Sequence, residues 1–134
     1  MQISRKAEYA LHALIYVAAV NGQRTSSINE IAESTRIPRE YLAKVLKHLT
    51  NKKFLVSSRG VNGGYKLAKT PAKISFLDVL EATQGPFTNL LCETKDCCPA
   101  FSFWDDLHKQ LKRTLSEMNL GKLDYEKYKA KLKK

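Results

Sequence analysis

The sequence predicts a mainly α-helical chain with one small β-hairpin: a winged helix-turn-helix followed by a long C-terminal helix. Three observations predict this class. Two short amphipathic helical patterns adjoin between Thr25 and Leu49, two apolar runs flank a glycine-rich turn between Phe54 and Ala68, and large apolar residues recur at intervals of three and four from Trp104 to Met118.

Ser4 to Val20 reads as a helix ended by Asn21-Gly22, with Ala7, Ala10, Leu11, Leu14, Val17 and Ala18 forming its buried face. Glu8 and His12 lie four apart on another face, where a plain helix pair worth about 0.2–0.5 kcal/mol accounts for the spacing. Ser27 and Glu30 announce the next helix as a capping box, each side chain satisfying the other's backbone amide, with Ile28, Ile31 and Ala32 on one face. After the polar break Ser34-Thr35-Arg36, Pro38 sits in the first turn of a second helix, and Leu42, Val45, Leu46 and Leu49 bury one stripe of it. Arg39, Glu40, Ala43, Lys44, Lys47 and His48 fall on or near the wet side. Positions toward the N-terminus of such a helix are those turned to base edges.

Phe54 to Arg59 and Tyr65 to Ala68 read as two strands around Gly60-Val61-Asn62-Gly63-Gly64, whose Asn-Gly pair signals a hairpin. Placed straight after a helix-turn-helix, that hairpin is a wing. Its glycines let the backbone approach a phosphate or a narrow groove, and Arg59 at its base follows into the negative potential there. The candidate DNA-binding residues are Ser27, Arg39, Glu40, Tyr41, Lys44, Lys47 and His48 on the helices, with Arg59, Asn62, Gly63 and Gly64 on the wing.

Ser75 to Thr83 makes a further helix, capped by Ser75 with Asp78 and closed by Gly85-Pro86, and Phe76, Val79 and Leu80 should pack it on the first helix and the wing's root. Phe87 to Pro99 is a loop holding all three cysteines, Cys92, Cys97 and Cys98. Clustered thiols outside a secreted context point to metal or redox chemistry before a disulfide framework, with small buried or idle thiols as the plain alternative. Adjacent Cys97 and Cys98 point in different directions, so one of them joins Cys92 at a given ion. Thiolates favour zinc or iron–sulfur centres, and three of them need a further nitrogen or oxygen donor. From Pro99 the pattern is helical again, and Trp104, Leu107, Leu111, Leu115 and Met118 form a heptad-like stripe that serves either as core or as a dimer seam. A winged helix that needs a twin to read a palindromic site favours the dimer seam. Gly121 ends this helix, and Lys122 to Lys134 is expected as a frayed helix or a disordered arm.

At 134 residues and 43% hydrophobic content, the chain is one ordinary domain with no room for a second, enzymatic one. No apolar run approaches the ~20 residues that span a bilayer, and no secretion signal opens the sequence, so a cytoplasmic protein is expected. The formal charge of +10 is uneven: residues 24–73 hold eleven Lys or Arg against three acids, whereas residues 74–121 hold four against seven. A basic face that coincides with a helix-turn-helix and wing is explained by phosphate neutralisation. An enzyme built on His12, His48 or His108 is not supported, because no nucleophile–base pair is spaced for catalysis and the wing's glycines do not open a helix.

Tyr41-Leu42-x-Lys44-x-Leu46-x-x-Leu49 followed by Arg59-Gly60-x-x-Gly63-Gly64-Tyr65 resembles the bacterial winged-helix regulators of the IscR/NsrR/CymR type, the family of iron–sulfur-assembly, nitric-oxide and cysteine-metabolism repressors. Met1 to Ala18, with Tyr9-Ala10-Leu11, is similar to that family's first helix, and the match runs to about residue 120. The resemblance implies a homodimer on double-stranded operator DNA, with neither membrane nor small-molecule substrate. It also implies a long helix that crosses the partner, setting the cysteine loop near the other subunit's first helix, where Glu8 or His12 would reach a cluster.

The cysteine spacing departs from the family pattern. Four residues separate Cys92 from Cys97 and none separates Cys97 from Cys98, while Phe101 stands where one branch supplies a histidine. Counting back from Trp104, Cys98 takes the place of the third family cysteine and Cys92 that of the first. A cluster would draw on Cys92, Cys98, Cys97 and an outside donor, Glu8 or His12; neither 2Fe–2S nor 4Fe–4S is selected, and zinc ranks behind both. The alternative is a cluster-free regulator controlled by a partner protein or by thiol oxidation. The chain divides accordingly into a DNA-binding unit (1–84), a sensor loop (85–99), a dimerisation helix (100–121) and a basic tail (122–134).

Overall fold

The computed structural model describes residues 3–20, 24–61, 63–87 and 99–132. Among them are six α-helices and one two-stranded antiparallel hairpin: α1 (Arg5–Val20), α2 (Ile28–Thr35), α3 (Arg39–Asn51), β1 (Leu55–Ser58), β2 (Gly64–Leu67), α4 (Phe76–Gln84), α5 (Phe101–Glu117) and α6 (Tyr125–Leu132). Short 3-10 turns cover Pro71–Lys73 and Leu120–Lys122.

The central helix is α1, whose small residues let its neighbours come close. Ala7, Ala10, Ala13 and Ala19 are buried with Leu14, Tyr16 and Val17, and α2, α3, α4 and β2 all pack around them. Leu11 and Ala18 are only partly covered, whereas Ala13, Tyr16 and Ala19 join the core. More of the helix circumference is enclosed than one amphipathic stripe would allow, because neighbours surround it on several sides.

Ser27 caps α2 by accepting a hydrogen bond from the Glu30 amide at 3.2 Å. The reciprocal contact, from the Ser27 backbone amide to the Glu30 carboxylate, is the weaker half, because that carboxylate is held chiefly by Arg24 and Tyr16. At Ser75 both halves of the box are present, with Asp78 N donating to Ser75 Oγ and Ser75 N donating to Asp78 Oδ2. Arg36 ends α2 in the left-handed conformation, φ 60°, and its amide donates to Ala32 O at 2.8 Å. That bend drops Ile37 into the core and lets α3 start directly after Pro38, which stands at the N-cap. Leu42, Val45, Leu46 and Leu49 are then buried on one side of α3, each contributing about 1.5–3 kcal/mol by leaving water.

The hairpin pairs Leu55 with Leu67 and Ser58 with Gly64. Ser26 extends it on the other side of β2, exchanging backbone hydrogen bonds of 2.9 and 2.8 Å with Tyr65. The wing is therefore tied back to the residue before the α2 cap.

Two expectations for the C-terminal region are corrected. The long helix stops at Glu117 and not at Gly121, which lies in a 3-10 turn. Residues 118–120 run antiparallel to residues 74–76, with Phe76 N donating to Met118 O at 2.9 Å and Leu120 N to Ile74 O at 3.0 Å. The tail is no loose arm: Leu120 is fully buried, and α6 lies on α1 with Leu123, Tyr128 and Leu132 against the core. Apolar residues at 120, 123, 128 and 132 give this end a face to bury, although six lysines obscure it in the sequence from 122 onward.

Candidate nucleic-acid interface

The outer face of α3 is built by subtraction. Three buried leucines and one valine fix one side against α1, so Arg39, Glu40, Ala43, Lys44 and Lys47 are left exposed along the other. Arg39 Nε donates to Asn29 Oδ1 at 2.7 Å, joining the start of α3 to α2. Tyr41 is half exposed and meets Tyr9 of α1 edge-on, with ring centroids 5.3 Å apart. His48 is turned elsewhere: a ring nitrogen lies 2.7 Å from Ala82 O, so this side chain fastens α3 to α4 and leaves the exposed row.

The wing follows α3 directly, and β1 packs against that helix. Arg59, Gly60 and Val61 are exposed toward its tip, and Lys66 is exposed on β2. The sequence reason for the paired glycines is steric. A Cβ on Gly63 would stand 2.6 Å from Ser58 O, and one on Gly64 would stand 2.5 Å from Ser26 O, both far inside contact distance. The two glycines thus close the turn and let β2 lie against residue 26. Asn62 lies outside the described residues.

Sequence reasoning missed the network behind the α2 cap. Glu30 accepts from Tyr16 Oη at 2.5 Å and from Arg24 Nη1 at 2.6 Å. The Arg24 guanidinium is raised above its ordinary value, first by its hydrogen bond to Glu30. Ser27, Glu30 and Arg24 border a cleft that opens toward Val61 and Gly63 of the wing. Only the aromatic hydroxyl of Tyr16, amid the apolar pattern of α1, signalled it.

On the candidate sensor side, Glu8 and His12 are both exposed on α1, one helical turn apart. His12 borders a cleft lined also by Ser34, Asp124, Tyr125 and Tyr128. Cys92, Cys97 and Cys98 lie outside the described residues. Of the candidate dimer stripe, Trp104 and Leu107 are exposed at 36% and 45%, together with Phe103 at 60%, while Leu111, Leu115 and Met118 are half-buried. No helix among the described residues is long and apolar enough to cross a membrane.

Residues 3–125 match the Rrf2 family profile, described as an iron-dependent transcriptional regulator. The chain is 36% identical over 95 residues to the HTH-type transcriptional regulator NsrR of Oceanobacillus iheyensis, covering 71% of this chain and 65% of that one. It spans just under two thirds of the length of the curated relatives it matches. Its fold is similar to that of CymR, the global cysteine regulator of B. subtilis (TM-score 0.83, 28% identity, 90% of this chain and 94% of that one). It is also similar to that of T. potens IscR (TM-score 0.74, 26% identity, 90% and 84%). With the helix-turn-helix and wing in place and the profile covering nearly its whole length, the chain belongs to the Rrf2 family, a family of transcriptional regulators and not of enzymes.

Proposed function

We propose that two copies of this chain bind operator DNA as a homodimer, with α3 in the major groove, the wing in the adjacent minor groove, and the loop at Cys92 to Cys98 as the sensor. The observation that carries this reading is the exposed row Arg39, Glu40, Ala43, Lys44 and Lys47, backed by a fully buried stripe, with Arg59 exposed on the wing that follows. Lys44 supplies a donor for a guanine edge, Lys47 and Arg59 neutralise phosphates, Ser27 presents the first turn of α2 to the backbone, and Gly63 and Gly64 hold the wing's shape. Phe103, Trp104 and Leu107 form the seam on which the second copy packs, since the half-buried Leu111, Leu115 and Met118 already serve their own subunit.

The donor set of the sensor is Cys92, Cys98 and Cys97, completed by an α1 side chain of the other copy. Glu8 fits this role better than His12, because Glu8 is exposed and does not line the cleft that His12 shares with Tyr125 and Tyr128. A bound iron–sulfur centre would supply redox and nitric-oxide reactivity. The chain's own contribution is mechanical: the thiols at 92–98 immediately precede α5 in the chain, so a change at them shifts the Trp104 seam and the separation of the two reading heads. Half-sites lie about 34–36 Å apart per helical turn, so a displacement of a few ångströms weakens binding.

Duplex binding followed by fluorescence anisotropy against salt tests the reader: Lys44→Ala with Arg59→Ala should lose affinity and salt dependence together, and unchanged binding would remove the assigned surface. A second reading, thiol oxidation or partner control without a metal, is favoured by the adjacency of Cys97 and Cys98 and by the close fold likeness to CymR. Anaerobic purification separates the two. Visible absorption with stoichiometric iron and sulfide supports the cluster, and a colourless protein supports the thiol switch.

A further inference from the structure

The surface basic enough to hold DNA does not end at α3. Lys6, in the first turns of α1, faces Tyr41, Lys44, Lys47 and Asn51 across a groove of about 350 Å³. Three ammonium groups line it with Tyr41, Asn51, the His48 ring and Val45, and no carboxylate is among its lining residues. The ion pairs found among the described residues, Arg24–Glu30 and Lys109–Asp105, involve none of the three lysines. Three like charges around one concavity repel one another, and that cost is relieved when an anion enters.

The groove is also held in shape. The Tyr9 and Tyr41 rings pack edge to face and clamp the start of α1 onto α3, while Arg5 lies over the outer side of the Tyr9 ring, 5.9 Å from its centroid. The clamp fixes the backbone of Lys6 beside α3, so its side chain reaches into the groove shared with Lys44 and Lys47.

We infer that this groove is a backbone-phosphate cradle and that Lys6 is a DNA-positioning residue outside the helix-turn-helix. It holds the sugar–phosphate strand bordering the major groove that α3 enters. The inference rests on the proposed DNA reading and adds to it a third anchoring element, after α3 and the wing. DNA is the assigned source of the phosphate because the groove is continuous with the reading helix: Lys44 and Lys47 belong to both. Contacts of this kind fix register and orientation without reading sequence. Lys6 should therefore raise affinity equally for any duplex.

The test uses the full chain, a duplex selected by the wild-type protein from a random library, and a shuffled duplex of the same composition. Lys6→Gln should weaken binding to both duplexes about fivefold at ~0.15 M salt and lower the slope of log affinity against log salt by about one contact. Lys6→Arg should restore most of the loss, and thermal unfolding of the Lys6→Gln protein should match the wild type. Replacing single phosphates by neutral methylphosphonates should reveal one position at which wild type and Lys6→Gln bind alike, a signature that a merely structural lysine would not produce. Unchanged affinity and slope for Lys6→Gln, alongside a clear loss for Lys44→Gln, would overturn the cradle while leaving the DNA reader standing. If inorganic phosphate at constant ionic strength competed with the duplex through Lys6, the groove would be a free-anion site and the assignment to DNA would fall. A wild-type protein that bound neither duplex would end the underlying reading as well.

Discussion

The Tyr16 hydroxyl of α1 donates a 2.5 Å hydrogen bond to Glu30 Oε2 of α2, and Arg24 holds the same carboxylate from its exposed side. Burial pushes the Glu30 carboxyl up, but the hydrogen bonds from Arg24 and Tyr16 outweigh it and leave the group below its ordinary value of 4.5. A carboxylate depressed in the folded state contributes stability that is present above its unfolded value and lost as pH falls through its folded one. Acid should therefore begin to erode stability near pH 4.5 and continue below it. In urea titrations, Glu30→Gln should flatten that acid limb, and Tyr16→Phe should cost about 1.5 kcal/mol at neutral pH by removing a bond to a charged acceptor.

Gly64→Ala tests how the wing is attached. Its Cβ would meet Ser26 O, a backbone atom that cannot rotate away, so the bridge between Ser26 and Tyr65 must open. Overpacking of this kind costs about 1–3 kcal/mol, seen as a lowered urea midpoint, and amide exchange at Tyr65 should accelerate.

The buried end of the chain makes a third prediction. Leu120→Ala removes a fully buried side chain and should cost about 2–5 kcal/mol in chemical unfolding. Removing residues 120–134 should lower the melting temperature sharply, whereas loss of an unattached basic arm would leave it unmoved.

The exposed aromatic patch on α5 makes a fourth. If Trp104 and Leu107 seat a second copy, Trp104→Asp with Leu107→Asp should convert a dimer to a monomer in sedimentation velocity at unchanged helix content. An unaltered sedimentation coefficient would place the seam elsewhere.

Periodicity was the readable part of this sequence. Leu42, Val45, Leu46 and Leu49 gave the inner side of α3, and hence its outer row, because helical spacing alone decides which residues share a face. The Ser75–Asp78 box was legible for the same local reason. Long-range competition was not. Glu30 had the right spacing to cap Ser27, yet Arg24 and Tyr16 offer it stronger charge-assisted bonds, one of them from a different helix. His48 looked like a wet-side residue until α4 placed the Ala82 carbonyl beside it. The tail misled through its lysines, whose charge is exposed while the intervening Leu123, Tyr128 and Leu132 cover α1.

The pairing of residues 74–76 with residues 118–120 carries a consequence for how the molecule is made. A ribosome delivers the helix-turn-helix and wing well before the leucine that completes their shared interior has been joined to the chain. The proposed reading surface and α5, the helix proposed to pair two copies, therefore gain this packing in the same late step of synthesis. A product interrupted upstream of residue 120 would leave both unfinished.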